Sequence, residues 1–178
     1  MRLAQINKPV KDMTYEEIKK IKLCDTNTYI PKLVDVLDFI DGRVPVLIEI
    51  KYDNKVGSLE KKLVSILEKY SGKYALQSFN PFTIKWLRDN APHIIRGQLA
   101  SDFKSEKMSL IKKFLLKNMV FNFLGQPDFI SYKVEDLDRK KAKKIREKRI
   151  LLGWTVRDRK EYEKLSQYYD NLICEDFI

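Results

Sequence analysis

Short β-rich runs and amphipathic helical runs trade places along the whole chain, and no two strand candidates are joined by a tight hairpin turn. This alternation narrows the possible folds more than any other feature of the sequence. Strand-type runs fall at 44–51, 74–79, 94–99, 129–132, 150–156 and 172–174. Between them the spacing of apolar residues predicts helices over 59–70, from Pro81 onward, and over 107–117, 134–149 and 160–169. Strands separated by helices throughout imply a parallel sheet with right-handed crossovers. The first run, 44–51, is apolar on both parities, the pattern of a strand covered on both faces. Ahead of it, Thr14 stands three residues before Glu17, the reciprocal capping arrangement that starts a helix. Pro31 suits the first turn of a second helix, where Leu33, Val34, Leu37 and Ile40 recur at helical spacing until Asp41-Gly42 stops it.

Six parallel strands can close in two ways. An open doubly wound sheet of the dinucleotide-binding kind carries a glycine-rich turn after its first strand, and none is present. The eight-stranded β/α barrel typically takes about 250 residues, so 178 residues are short by about two strand-helix units. The expectation is a single α/β domain over 1–178, an incomplete (β/α)8 barrel of TIM type with about six of its eight strands.

Composition removes the competing classes. With 44% hydrophobic residues the chain can bury a core, and six glycines and six prolines are too few for a low-complexity or collagen-like chain. No apolar run approaches the roughly 18 to 20 residues of a membrane span, and the first residues, MRLAQINKPVKDM, do not form a secretory signal. Cys24 and Cys174 are far apart and read as free thiols in a reducing compartment. The expected location is the cytoplasm, with membrane association only through an upstream membrane domain.

In a β/α barrel the working residues stand at the carboxyl ends of the strands. In Val46-Leu47-Ile48-Glu49-Ile50-Lys51, alternation puts Leu47, Glu49 and Lys51 on one face and Val46, Ile48 and Ile50 on the other. A carboxylate on an otherwise apolar strand needs a compensating cation. Two readings stay open: an ion pair with an Arg or Lys of a neighbouring strand, or a hard divalent cation on Glu49 with an anion such as phosphate on Lys51. Gln77-Ser78-Phe79-Asn80 and Gly153-Trp154-Thr155 mark two further strand ends. Trp154 reads as core on pattern alone, and Ser78 has no base in view that would make it a nucleophile. The one histidine, His93, precedes the strand at 94–99 and belongs to the amino-end face, so it reads as a loop residue.

In this order the motifs resemble the glycerophosphodiester phosphodiesterase family, metal-dependent β/α barrels that release glycerol 3-phosphate from deacylated phospholipids. Val10 to Ile18 resembles the segment introducing an early helix. Ile30-Pro31-Lys32-Leu33 with Val36-Leu37 resembles the family's "IPxLxxxL" helix, and Leu47-Ile48-Glu49-Ile50-Lys51 its "EIK" strand. Ser78-Phe79-Asn80-Pro81 is similar to "SFxP", Gly153-Trp154-Thr155-Val156 to "WTV", and Asp170 to Asp176 to the last strand. The resemblance implies that Glu49 is a metal-ligating carboxylate for Ca2+ or Mg2+, that Lys51 binds the phosphate, and that Phe79 and Trp154 stand around the substrate mouth. The family's "HRG", "ExD" and "HD" motifs, with two catalytic histidines and two further carboxylates, are absent, and Met1-Arg2-Leu3 falls about where the family continues after "HD". That implies two missing strands, matching the count of six. It leads to the expectation that this chain alone has negligible phosphodiesterase activity and self-associates through open barrel edges.

The remaining signal is charge. The chain carries a net charge of +10, and eight of the eleven residues at 139–149 are basic. A solvated outer helix face explains such a run, and a surface for anionic lipid or nucleic acid is the functional alternative. Three readings follow: a glycerophosphodiester phosphodiesterase domain, a non-catalytic remnant used for binding or assembly, and a basic polyanion-binding module. The first is preferred, and nucleic acid is the less favoured partner.

Overall fold

A computed structural model describes residues 8–23, 26–51, 55–104 and 106–175. Cys24, the Met1-Arg2-Leu3 start and Asp176 lie outside the described residues. The chain divides into two compact units, 1–44 and 45–178.

The first unit holds a 3-10 turn, Val10–Asp12, and two helices, α1 (Tyr15–Ile18) and α2 (Leu33–Ile40). The capping box is formed as the spacing implies. Thr14 Oγ1 accepts from the Glu17 backbone N–H at 3.3 Å, and the Thr14 N–H donates to Glu17 Oε2 at 2.7 Å. Lys8 Nζ sits 2.9 Å from the other Glu17 oxygen. α2 ends where Asp41 turns left-handed at φ 48°.

Among the described residues, the second unit contains every strand. They are β1 (Val46–Glu49), β2 (Tyr74–Ser78), β3 (Arg96–Ala100), β4 (Phe129–Lys133), β5 (Ile150–Val156) and β6 (Asn171–Cys174). They form one sheet in chain order, with every neighbouring pair parallel. Helices α3 (Ser58–Leu67), α4 (Pro81–Asn90), α5 (Leu110–Lys117), α6 (Asn122–Gly125), α7 (Arg139–Arg146) and α8 (Arg159–Leu165) make the crossovers. This is the strand order of an incomplete (β/α)8 barrel.

Registered neighbours in a parallel sheet point to the same face, so alternation sorts the side chains into two layers. Ala100, Ile130, Tyr132, Leu151 and Leu172 fall in the layer that packs under the helices, where they are buried together with Ala142 of α7 and Tyr169. The other layer carries Leu47 and Glu49 of β1, Gln77 of β2, Ser131 and Lys133 of β4 and Trp154 of β5. Gly153 lets the helix-side layer close, because a Cβ there would come within 2.6 Å of Leu172 and 2.8 Å of Val134.

Several sequence expectations need correcting. The run at 44–51 is not covered on both faces: the strand is four residues long and Leu47 is 38% exposed. Among the described residues β1 has a strand neighbour on one side only, and the layer to which Leu47 belongs is filled in a closed barrel by side chains from all eight strands. The helix expected over 134–149 is broken. Val134–Asp136 is a 3-10 turn, Leu137 is extended and buried, and Asp138 caps α7 by accepting from the Lys141 N–H at 2.9 Å. The expected helix at 107–117 starts at Leu110, where Ser109 caps it, and α6 was not anticipated. The expected helix at 160–169 ends at Leu165, and Tyr169 beyond it joins the core.

Candidate active site

At the carboxyl end of β1, alternation brings Glu49 and Lys51 to the same side, and Lys51 Nζ donates to Glu49 Oε1 at 2.8 Å. The lysine side chain is 81% exposed and the glutamate 28%. The cation that compensates Glu49 is therefore the lysine of its own strand end, and not one from a neighbouring strand. Glu49 has the chemistry of a single hard oxygen donor. Among the described residues, no group of three or more His, Cys, Asp or Glu is placed to hold a metal ion.

The ends of β1, β2 and β3 are tied together by buried polar bonds. Ser78 Oγ donates to the Ile50 carbonyl at 2.8 Å and accepts from the Asn80 N–H at 3.2 Å. These two bonds occupy the Ser78 hydroxyl. Gln98 of β3 donates through Nε2 to the carbonyls of Ser78 at 3.1 Å and Phe79 at 3.2 Å. Asn80 Oδ1 then caps α4 by accepting from Phe82 N–H at 3.0 Å, with Pro81 in the first turn. This chain of bonds explains the local sequence Ser78-Phe79-Asn80-Pro81: it fastens the strand end, turns the backbone and leaves Phe79 projecting.

Phe79 meets Trp154 edge to face, with ring centroids 5.7 Å apart and planes at 85°, and meets Phe103 in the same way at 5.8 Å. Trp154 Nε1 donates to the Ser131 carbonyl at 3.0 Å. Phe79 and Trp154, singled out separately in the sequence, thus stand together in one wall of a cleft of about 1100 Å³. Glu49 and Lys51 are not among the residues lining this cleft. His93 lies exposed in the turn between α4 and β3.

Sequence reasoning missed the acidic side of the cleft. Asp102 and Asp136, following β3 and β4, line it with Lys133 and Phe103. The Asp102 backbone N–H donates to Asp136 Oδ2 at 3.0 Å, and Lys104 Nζ sits 2.6 Å from Asp102 Oδ2. Burial works against the Asp102 charge, but hydrogen bonds and charge from Lys104, with a contribution from Asp136, hold its carboxyl below the ordinary 3.8. The same pairing raises the Lys104 ammonium above 10.5. The signal that could have found Asp102 and Lys133 is position: each stands at or just after the carboxyl end of a strand.

Four of the eight basic residues at 139–149 have partners within the chain. Arg146 donates to Asp170 Oδ1 at 3.0 Å and to the Gln167 carbonyl at 2.9 Å, and Arg149 to the Pro127 carbonyl at 2.6 Å. Lys141 reaches the Lys117 carbonyl at 3.1 Å, and Arg139 lies over the Tyr168 ring at 4.9 Å. Burial, with the nearby Lys117 charge, pulls the Lys141 ammonium below its ordinary value.

A parallel β/α sheet with its charged and aromatic groups at the carboxyl ends of the strands defines the class of TIM-barrel proteins. Within that class, the model of the glycerophosphoryl diester phosphodiesterase family matches residues 1–178, and the chain belongs to that family. Solved structures share the fold at low identity. A phosphodiesterase from Oleispira antarctica, in complex with the product sn-glycerol-3-phosphate, matches with a TM-score of 0.74 at 16% identity, over 97% of this chain and 71% of its own. The glycerophosphodiester phosphodiesterase from Thermotoga maritima matches with 0.67 at 19%, over 97% and 70%. That from Agrobacterium tumefaciens matches with 0.68 at 16%, over 97% and 73%. A comparison with curated proteins found no match.

Proposed function

We propose that this chain is the part of a glycerophosphodiester phosphodiesterase that supplies one metal carboxylate, Glu49, and the phosphate-binding Lys51. The reaction would be the hydrolysis of a glycerophosphodiester to glycerol 3-phosphate and an alcohol. The observation that carries this reading is the Glu49–Lys51 pair at 2.8 Å on the carboxyl end of β1, in a chain of this family. Support for the substrate class comes from the Oleispira antarctica relative, whose structure holds sn-glycerol-3-phosphate.

Glu49 fits Ca2+ or Mg2+ as one oxygen donor, and further carboxylates would have to come from outside the described residues. Such an ion, when bound, would neutralise charge on the phosphoryl oxygens. Lys51 can leave Glu49 for a phosphate oxygen, because its side chain is mostly in solvent and its ammonium carries three donors. Phe79 and Trp154 give the alcohol part of the substrate an apolar wall.

Leaving-group protonation requires an acid, and in this reading the histidines that serve it also come from outside the described residues. The test is release of glycerol 3-phosphate from glycerophosphocholine by the protein purified from its source cells, with Ca2+ or Mg2+ present. Glu49→Gln in that protein should abolish release, Lys51→Ala should reduce it, and the 178-residue chain alone should show negligible turnover. Undiminished release by the Glu49→Gln protein would overturn the reading.

A further inference from the structure

α5 carries its apolar residues on the wrong side for a helix that only covers a core. Ile111, Lys112, Leu115 and Leu116 line the cleft, whereas Leu110 and Phe114 project into solvent, 83% and 63% exposed. Ile111, at the margin between the two faces, is 74% exposed. On an α-helix, Leu110 and Phe114 are one turn apart on a single stripe, and Lys113 and Lys117 border it. Beyond the helix, Val120, at 43%, and Phe123, at 67%, are exposed as well.

Two observations identify what such a surface fits. The first is charge: Lys107, Lys112, Lys113 and Lys117 fall in a stretch, 107–127, that contains no Asp or Glu. No carboxylate among the described residues pairs with any of these four lysines. Lys113 Nζ donates to the Lys104 carbonyl at 2.9 Å, so its charge is held beside the helix and not neutralised. Exposed Leu, Ile and Phe set among lysines that no carboxylate neutralises are the composition of a helix that lies in an anionic lipid interface, with its apolar side among the acyl chains and its ammonium groups at the headgroups. The second is position. α5 and α6 connect β3 to β4 in the middle of the sheet, so strands added at the open edges of β1 or β6 would lie two or more strands away.

We propose that α5 and the turn after it, residues 107–123, form the surface by which this protein docks on an anionic lipid bilayer, with the cleft opening beside the docked helix. The docking site is therefore α5 and not the more basic α7, because α5 exposes Leu110, Ile111 and Phe114, whereas no large apolar side chain of α7 is among the exposed ones. The proposal does not depend on catalysis.

Co-sedimentation of the 178-residue chain with phosphatidylcholine vesicles, and with vesicles of phosphatidylcholine and phosphatidylserine at 7:3, tests it. The expected result is partition onto the mixed vesicles and at least tenfold weaker partition onto phosphatidylcholine alone. Each lysine near an anionic surface is worth about fivefold in binding, so the combined Lys113→Glu and Lys117→Glu variant, at the border of the stripe, should lose about twenty-fivefold or more. Phe114→Asp should also release the protein, while Lys140→Glu with Lys143→Glu and Lys144→Glu on α7 should have the smaller effect. Phe114 is exposed and Lys113 and Lys117 are half-buried, and an unchanged far-ultraviolet dichroism spectrum separates lost docking from lost folding. Failure of the wild-type chain to sediment with mixed vesicles would overturn the proposal. So would α5 variants that sediment like wild type, or a Phe114→Asp variant that dissolves a dimer without changing sedimentation.

Discussion

Ser78 Oγ donates a hydrogen bond to the carbonyl of Ile50 at 2.8 Å, across 28 residues of sequence, and so fastens the strand end that bears Glu49 and Lys51 to the one that bears Phe79. Ser78 is fully buried, so neither oxygen can turn to solvent if the bond is lost. Ser78→Ala leaves the Ile50 carbonyl and the Asn80 N–H unsatisfied and should cost about 1–3 kcal/mol in urea unfolding. An unchanged midpoint would show that the bond contributes nothing.

Trp154 offers a separate test, because its ring packs on Phe79 and its Nε1 bonds to Ser131. Trp154→Phe keeps an aromatic ring but removes the indole hydrogen bond to the Ser131 carbonyl, and should destabilise by about 0.5–1.5 kcal/mol. Phe79→Ala should remove an edge-to-face contact worth about 0.5–1.5 kcal/mol in addition to buried apolar area. A double-mutant cycle between the two positions measures the coupling, and strict additivity would deny it.

Gly153 stands where a methyl group would lie 2.6 to 2.9 Å from Leu172, Val134 and Tyr169. Those three side chains belong to one buried cluster and have little room to retreat. Gly153→Ala should therefore lower stability by about 1–3 kcal/mol by overpacking, seen as a lower thermal midpoint.

The Asp102–Lys104 pair makes stability depend on pH at both ends. The folded Asp102 carboxyl titrates below 3.8, so its contribution is present above about pH 3.8 and is lost as pH falls through the lower folded value. The folded Lys104 ammonium titrates above 10.5, so its contribution is present below about pH 10.5 and is lost as pH rises through the higher value. Glu17, lowered from 4.5 to about 2 by the Thr14 backbone hydrogen bond and by Lys8, adds a second acid loss between those values. Asp102→Asn should flatten stability against pH at both ends, and a variant whose pH profile matches wild type would contradict the assignment.

β1 and β6 each have a single strand neighbour among the described residues, and their outer edges offer unpaired backbone groups to another chain. We expect concentration-dependent association in light scattering. A compact monomer over a hundredfold range of concentration would count against it.

Local periodicity carried much of this structure. The side chains of a strand alternate by backbone geometry alone, so Glu49 and Lys51 could be placed on one side from five residues of sequence. The Thr14–Glu17 cap, the proline at the head of α4 and the order of six strands are equally local, each resting on residues a few positions apart. Other features depend on pairings between residues twenty or more positions apart. Strand register brings Phe79, Phe103 and Trp154 into one wall, and the crossover after β4 sets Asp136 against the backbone of Asp102. The partners of the basic run are likewise distant, with Arg146 held by Asp170. Exposure was the least legible property. The apolar spacing of 107–117 predicts a helix without saying which of its side chains are covered, and that of 44–51 reads as a strand covered on both faces. Whether an apolar side chain is covered depends on what the rest of the chain places over it, and only the tertiary structure decides that.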